Sequence, residues 1–141
     1  MSLIKTGAGN PANDGQDFYS LEAIYDLSQT SALADAVIEM LQIPAGSFVK
    51  DVTVEVMTVD TGGTIDVGDD SDVDGWHDGI DATAAATTVS LLALTEAAPN
   101  TVTGYRAGKH YAAADSIDIK VLGQTMAAGK VRVKAFIQRV G

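Results

Sequence analysis

The sequence predicts an all-β protein, a β-sandwich that is jelly-roll-like, built of antiparallel hairpins and preceded by a flexible N-terminal arm. Three observations support this fold class. Apolar residues recur at every second position in several short segments, the residues between them are polar, and clusters of Gly, Asp and Pro separate the segments. One polar face per strand is typical of two antiparallel sheets packed together, and it argues against a parallel sheet covered on both faces.

Residues 1–17 form the predicted arm and residues 18–141 the single β-sandwich domain. The arm is rich in Gly, Asn and Pro and has no apolar run, so we expect it to be mobile. From Tyr19 to Leu27 apolar side chains occupy every second position, which predicts the first strand. A chain of 141 residues suits one domain with a core of its own.

The segment Ser31–Ile43 is ambiguous between helix and strand. Its apolar residues have helical spacing, with Asp35 and Glu39 on the opposite side. The same residues also suit a strand that runs into a turn, because Pro44 favours an extended conformation for the residue before it. Periodicity alone favours the helix.

Two strand–turn–strand units follow the same design. One runs from Val49 to Val67 with a turn at Asp60–Gly63, and the other runs from Ser116 to Ile137 with a Gly-containing turn. Each is predicted to be a hairpin. Between them, the Ala- and Thr-rich residues 82–103 could hold a strand or a short helix around Val89 to Leu94. Residues 104–111 are expected to hold one more short strand.

The composition excludes several classes of function. The chain has no Cys, which rules out disulfides, thiolate zinc sites and Cys nucleophiles. A formal net charge of −10 repels nucleic-acid backbones and anionic lipid, and no apolar run is long enough to span a bilayer. We therefore expect a soluble protein that binds neither nucleic acid nor membranes.

The sharpest local motif is acidic. Residues 70–75 read Asp-Ser-Asp-Val-Asp-Gly, which matches the opening of a calcium-binding loop, and Asp81 falls at the twelfth position. In that interpretation the calcium ligands would be the side chains of Asp70, Asp72, Asp74, Asp78 and Asp81, together with the carbonyl of Trp76.

Three features weaken the calcium interpretation. The closing residue is the short Asp81, His77 stands where such loops place an inward apolar residue, and no amphipathic helix flanks the loop. A solvated loop whose Asp side chains cap their own backbone is the simpler interpretation. We therefore assign no metal ligand, no cofactor-binding residue and no cofactor.

Nothing in the sequence indicates an enzyme, and no catalytic residue is assigned. The two histidines, His77 and His110, have no spacing that requires an acid–base pair, and the common nucleophile and phosphate-binding motifs are absent. Trp76 is the one candidate for an aromatic platform that binds carbohydrate, although it could equally plug the end of the sandwich.

The C-terminal strand is unusually basic for this chain. Lys130, Arg132 and Lys134 share one face, opposite Val131 and Val133. The simplest interpretation is a solvated outer face. The functional interpretation is a basic stripe that meets an acidic surface on a neighbouring copy or on a scaffold, which would give self-association a physical basis.

Three strings of residues, in order along the chain, resemble a family of tailed-bacteriophage virion proteins. The first is Val-Ile-Glu-Met-Leu-Gln-Ile-Pro-Ala-Gly-Ser at 37–47, followed by the predicted strand from Val52 to Val59. The second is Val-Gly-Asp-Asp-Ser-Asp-Val-Asp-Gly-Trp at 67–76. The third is Gly-Lys-His-Tyr-Ala-Ala-Ala-Asp-Ser-Ile-Asp at 108–118, followed by the hairpin residues 128–131. Together they cover about residues 33–137.

This resemblance implies a small β-sandwich protein of phage heads, of the kind described as capsid decoration, cement or minor structural proteins. Such a protein would bind the major capsid protein on the exterior of the virion, as a homotrimer or other oligomer, after synthesis in the host cytoplasm. It would stabilise the shell against the pressure of the packaged DNA. The family places the Ile-Pro-Ala-Gly segment at the end of a strand, which favours strand over helix for Ala34–Ile43.

Two other functions stay open. A calcium-dependent binding or adhesion module would use the Asp70–Asp81 loop. A tail or neck component of a virion would share the fold and differ only in its location. In the decoration hypothesis, the N-terminal arm could become ordered on binding a neighbour.

Overall fold

The computed structural model describes residues 18–84, 88–90, 104–105 and 107–139. Within these ranges all regular secondary structure is β-strand, which confirms the predicted all-β class. The predicted arm lies outside the described residues, as do Leu91 to Leu94 of the Ala- and Thr-rich segment. The described part of the chain contains no helix that is long and apolar enough to cross a membrane.

The strands, in chain order, are β1 (Phe18–Asp26), β2 (Val37–Ile43), β3 (Ser47–Thr58), β4 (Thr64–Gly68), β5 (His77–Asp81), β6 (Thr88–Ser90), β7 (Lys109–Tyr111), β8 (Asp115–Leu122) and β9 (Lys130–Arg139). They form two antiparallel sheets. The first sheet has the order β1-β9-β3-β6, with the short β7 also paired to β3, and the second has the order β2-β8-β4-β5.

The strand pairs are nested. The first strand pairs with the last, β2 with β8, β3 with β6, and β4 with β5. This pattern arises when one long antiparallel ribbon rolls up, so that successive strand pairs are placed in alternate sheets, and it is the arrangement of a jelly roll. The jelly-roll-like sandwich predicted from the sequence is therefore confirmed.

The two predicted hairpins are wrong, because the two strands of each unit do not pair with each other. In the unit from Val49 to Val67, β3 lies in the first sheet and β4 in the second, and in the unit from Ser116 to Ile137, β8 and β9 are likewise in different sheets. Their turns carry the chain from one sheet to the other. Alternation and turn residues are the same for a hairpin and for such a crossing, so local sequence could not separate them.

The core fills the space between the sheets, where the alternating apolar residues predicted from the sequence are found. Val52, Val54 and Val56 from β3 meet inward residues of β4, β8 and β9, and all are almost completely buried. Polar residues between the apolar positions are expected on the outer face, but Asp51 is buried beside a register shift in the pairing of β3 with β9. Most other strand residues alternate between the core and the outer face as predicted, because each sheet has one apolar face that packs against the other sheet.

The ambiguous segment contains a strand, as the family resemblance favoured. Its regular part is β2, which pairs with β8, while Ala32 forms an isolated bridge with Met126. A helix would have buried Leu33 and Val37 together, but both are exposed in the strand arrangement. Pairing with β8 places Leu41 and Ile43 in the core instead.

Candidate functional site

The loop between β4 and β5 (residues 69–76) closes around the side chain of Asp69. This carboxylate is 1% exposed and lies directly after the last residue of β4. One oxygen accepts hydrogen bonds from the backbone N–H groups of Ser71 and Asp72, at 3.0 and 3.1 Å. The loop therefore turns back on Asp69 in an Asx-type arrangement, as the solvated-loop interpretation expected, but the capping residue is buried.

Side chains distant in sequence complete the surroundings of Asp69. The ammonium group of Lys109 lies 2.6 Å from one carboxylate oxygen, and the Tyr111 hydroxyl donates to the same oxygen at 2.8 Å. Tyr105 donates to the other oxygen at 3.0 Å. The indole N–H of Trp76 in turn donates to Tyr111 at 3.0 Å. This Asp69 network ties the loop to β7 and the residues before it.

Hydrogen bonding, rather than solvent, keeps Asp69 charged. Burial alone would raise its pKa, but hydrogen bonds from Lys109, Tyr111 and Tyr105 outweigh this effect and hold the pKa below its usual range. Burial would likewise lower the pKa of Lys109, and its contacts with Asp69 and Tyr105 raise it instead. The pair is thus ionised within the fold, and the two Tyr rings flank the ammonium group at 4.4 and 4.7 Å.

The twelve-residue calcium loop of the alternative interpretation does not form. Asp78 and Asp81 lie in strand β5, and the loop is closed by Asp69, which was not among the ligands of that interpretation. Of its five carboxylates, Asp74 and Asp78 do come together, and they are joined by Asp66 of β4. Ligand oxygens of these three residues lie within 4.8 Å of one another.

The Asp66–Asp74–Asp78 group has the oxygen chemistry of a hard-cation site but lacks the ligand number of a complete one. Calcium takes six to eight oxygens, so a bound ion would need water or further groups. A hydrogen bond with Asp72, burial, and the charges of Asp72, Asp78 and Asp66 together raise the pKa of Asp74 to about 6. The group is thus a concentration of negative charge.

The outer face of the second sheet is acidic beyond this group. Asp118 of β8 alternates with the inward Ile117 and Ile119 and is nearly buried on the opposite face. Burial, together with the charges of Asp70, Glu39 and Asp115, raises its pKa to about 6 in spite of a hydrogen bond from Ser116 that lowers it. This face repels anions and attracts cationic groups.

Of the two histidines and the tryptophan, His77 and Trp76 are buried in the packing of the sandwich and His110 lies on the surface. His77 faces inward and is buried, and its Nε2 lies 2.6 Å from the carbonyl of Val52, to which it can donate. Burial lowers the pKa of His77, so it is neutral in the fold. His110 is exposed. Trp76 is completely buried and packs against Tyr105 with ring centres 5.1 Å apart, so it plugs the sandwich and forms no carbohydrate platform.

The basic stripe of β9 is largely neutralised within its own sheet. Arg132 donates to Glu55 of β3 at 3.0 Å, and its Nε lies 3.1 Å from Glu22 of β1 without the alignment of a hydrogen bond. Lys130 lies 4.0 Å from Asp26. The shared face is as predicted, but among the described residues only Lys134 of the three has no carboxylate within 4 Å.

A groove opens at the end of the first sheet, beside the start of β1. It has a volume of about 420 Å³ and is lined by Phe18, Tyr19, Ser20, Lys50, Phe136 and Ile137. Phe18 is 63% exposed. The ammonium groups of Lys50 and Lys134 lie 5.3 Å from the ring centres of Phe18 and Phe136, respectively. The groove is therefore apolar at its floor and cationic at its rim.

Sequence reasoning missed both the Asp69 network and the groove. Asp69 and Lys109 did stand in the strings that resemble phage proteins, but their types predict solvent-exposed positions. One sequence feature could have indicated the Asp69 network, namely that the charged Lys109 stands close to Tyr105 and Tyr111. The groove combines residues from β1, β3 and β9, so no local pattern could indicate it.

Fold and geometry together define a jelly-roll β-sandwich with an acidic face, a cationic apolar groove and a buried network that braces a loop. Chains of phage capsid structures have a similar fold. One from the cyanophage Pam1 capsid asymmetric unit superimposes with a TM-score of 0.59 at 18% identity, covering 100% of this chain and 94% of that one. One from the capsid of Ralstonia phage GP4 gives 0.57 at 20% identity, covering 100% and 91%.

A third similar chain comes from the acid-stable capsid structure of the Helicobacter pylori bacteriophage KHP30, with a TM-score of 0.51, 15% identity, and coverage of 85% and 86%. No family model and no curated protein sequence matches the chain. At these identities the likeness establishes the fold.

Proposed function

We propose that this chain is a structural, non-enzymatic protein of a phage virion, and more specifically a capsid decoration protein on the exterior of the head. The observation that carries the proposal is the likeness of fold, along nearly the whole of both chains, to chains from the capsids of cyanophage Pam1 and Ralstonia phage GP4. The resemblance in sequence strings, found independently of the fold, supports the same class.

The structure suits such a role physically. A decoration protein must keep its shape while many weak contacts add up, because contacts repeated across a shell give strong attachment without one strong site. The buried Asp69 network braces the β4–β5 loop against β7. The proposed partners are the major capsid protein and further copies of this chain, with a homotrimer as the expected assembly.

Electron microscopy of virions tests the proposal directly. An antibody raised against the described domain is bound to purified particles of the phage that encodes the chain. Gold label distributed over the heads is the expected result. Label confined to the tail or neck would instead assign the chain to that structure, and particles without label would remove the virion function.

A second candidate function, divalent-cation binding, is favoured by the convergence of Asp66, Asp74 and Asp78. If an ion binds there, calcium should raise the melting temperature relative to chelator, because a ligand that binds only the folded state stabilises it. Asp66→Asn should abolish that increase. If the decoration proposal holds without an ion, the melting temperature of the wild type will be the same in calcium and in chelator, and so will that of the variant.

A further inference from the structure

The groove of the first sheet has exposed aromatic groups, and its ammonium groups lack a carboxylate partner among the described residues. Phe18 and Phe136 leave aromatic surface exposed there, and Lys50 and Lys134 have no carboxylate within 4 Å among the described residues. In a chain with a net charge of −10, two such lysines beside exposed aromatic rings are unusual. The chemistry that fits is an apolar side chain flanked by carboxylates.

The β4–β5 loop of the same protein presents that chemistry. Val73 is 46% exposed and lies between Asp72 and Asp74, with Asp70 exposed nearby. The backbone of the loop is fixed, because Asp69 and Gly75 donate to the carbonyl of Asp72 at 2.9 and 3.1 Å. Val73 is therefore held on a rigid turn rather than on a mobile one, which lowers the entropic cost of inserting it into a partner.

The two surfaces cannot meet within one copy. Across the first sheet, Phe18 of β1 pairs with Gln138 of β9, and Gln138 pairs with Phe48 of β3. Phe48 in turn pairs with His110 of β7. The groove and β7 therefore lie at the same end of the first sheet but at opposite edges. Three strand spacings separate β1 from β7, or about 14 Å. The loop lies beyond β7, attached to it through Lys109 and Asp69. Each copy can thus donate its loop to one neighbour and accept the loop of another.

We infer that copies of this chain associate head to tail, with Val73 of one copy inserted in the Phe18–Phe136 groove of the next and Asp72 or Asp74 facing Lys50 and Lys134. Since both surfaces lie at one end of the sandwich, successive copies need little shift along the strands, which allows a closed ring. The inference rests on the proposed function for the expectation of an oligomer, and it names the residues that form it.

A mixing experiment tests head-to-tail association. The loop variant is Val73→Asp, and the groove variant combines Lys134→Glu with Phe136→Ser. By light scattering, wild type should have a multiple of the 14.6 kDa chain mass and each variant alone a single chain mass. Mixed one to one, the variants should form a pair of twice the chain mass, because the groove variant still donates a loop and the loop variant still offers a groove.

Controls separate loss of contact from loss of fold. Leu33→Asp replaces an apolar residue that is even more exposed than Val73, at 70%, and lies near the Ala32–Met126 bridge, and it should keep the wild-type mass. Lys50→Glu changes only the rim of the groove and should weaken the oligomer. Each variant must melt cooperatively, near the wild-type temperature, to be interpreted.

Several results would overturn the inference. These are a monomeric wild type, an oligomeric Val73→Asp variant, or two monomeric variants that do not pair on mixing. Dissociation caused by removing residues 1–17, with Val73→Asp still oligomeric, would identify that segment as the occupant of the groove instead. Failure here is distinguishable from failure of the proposed function, because monomeric variants that still bind phage heads would leave decoration intact.

Discussion

At the scale of single residues, Asp69 shows how a charge is accommodated inside this fold. An isolated buried carboxylate would be strongly unfavourable, and it is tolerated when ion pairing and hydrogen bonds replace its water. Here Lys109 supplies the opposite charge, while Tyr105, Tyr111 and two backbone N–H groups supply further donors. The network therefore depends on every member, and losing Lys109, its one cation among the described residues, leaves a buried charge unbalanced.

Replacing that cation gives the first prediction. Lys109→Met should lower the free energy of unfolding by about 3 kcal/mol, the cost typical of breaking a buried pair by removing one partner. Lys130→Met removes an equally long side chain from an exposed pair with Asp26 and should cost less than about 1 kcal/mol. Urea denaturation of the two variants measures the difference. Equal costs would mean that Asp69 does not need Lys109.

At the scale of elements, close packing between the end of β4 and the loop that follows it fixes the loop. A Cβ atom at Gly68 would lie 2.1 Å from the carbonyl oxygen of Asp72 and 2.3 Å from the carbonyl carbon of Val73. Those atoms are backbone and cannot rotate away. Gly68 is therefore required because the loop lies against the strand, and not because of its own backbone conformation.

A pair of glycine variants tests this packing. Gly68→Ala should destabilise the protein by several kcal/mol, since the loop must move away from β4 and strain the Asp69 network. Gly79→Ala is the control: a Cβ there meets nothing within 4 Å, and only its positive φ of 71° is unfavourable, at about 1 kcal/mol. Thermal unfolding compares them. A Gly68→Ala variant as stable as Gly79→Ala would contradict the packing argument.

At the scale of the whole molecule, charge is distributed unevenly between the two outer faces. The first sheet pairs Lys130 and Arg132 with Asp26, Glu22 and Glu55, whereas the second collects carboxylates that repel one another. Both Asp74 and Asp118 have a pKa raised to about 6. The folded protein therefore binds protons more readily than the unfolded chain at mildly acidic pH.

The sign of the resulting pH dependence follows from linkage. A carboxyl whose pKa is higher in the folded state destabilises the fold above that pKa, and the penalty disappears as the pH falls toward the unfolded value near 4. At pH 7, Asp118→Asn should be about 1–2 kcal/mol more stable than wild type, and the difference should shrink as the pH falls to 5. Urea denaturation across this range measures it. Burial lowers the pKa of His77, which gives stability the opposite pH dependence, but this contribution is the same in wild type and in Asp118→Asn and cancels in the comparison.

An unchanged difference between pH 7 and pH 5 would show that Asp118 is not destabilised by its surroundings. The comparison with the Asn variant matters, because Asp60 and Asp69 act in the other direction. Hydrogen bonds hold the pKa of both below the usual value in spite of burial, so they lose their contribution only at more acidic pH. The stability of the wild type should therefore decline again below about pH 4.

The sequence by itself determined the all-β class and most of the inward residues, because burying one face of a strand imposes a period of two that is visible locally. In β3, for example, Val52, Val54 and Val56 are all buried as predicted. It also determined the acidic character of the chain and the resemblance to phage virion proteins. It left β2 undecided, since short apolar runs suit either periodicity.

Only the tertiary structure decided which strands pair and which polar groups meet. Nested pairing joins the first strand to the last, and the partner that keeps Asp69 charged stands forty residues away. Likewise, Asp66 joins Asp74 and Asp78, and the groove draws on β1, β3 and β9. Such contacts depend on how the sheets stack and in what register, and a local pattern of apolar and polar residues carries neither.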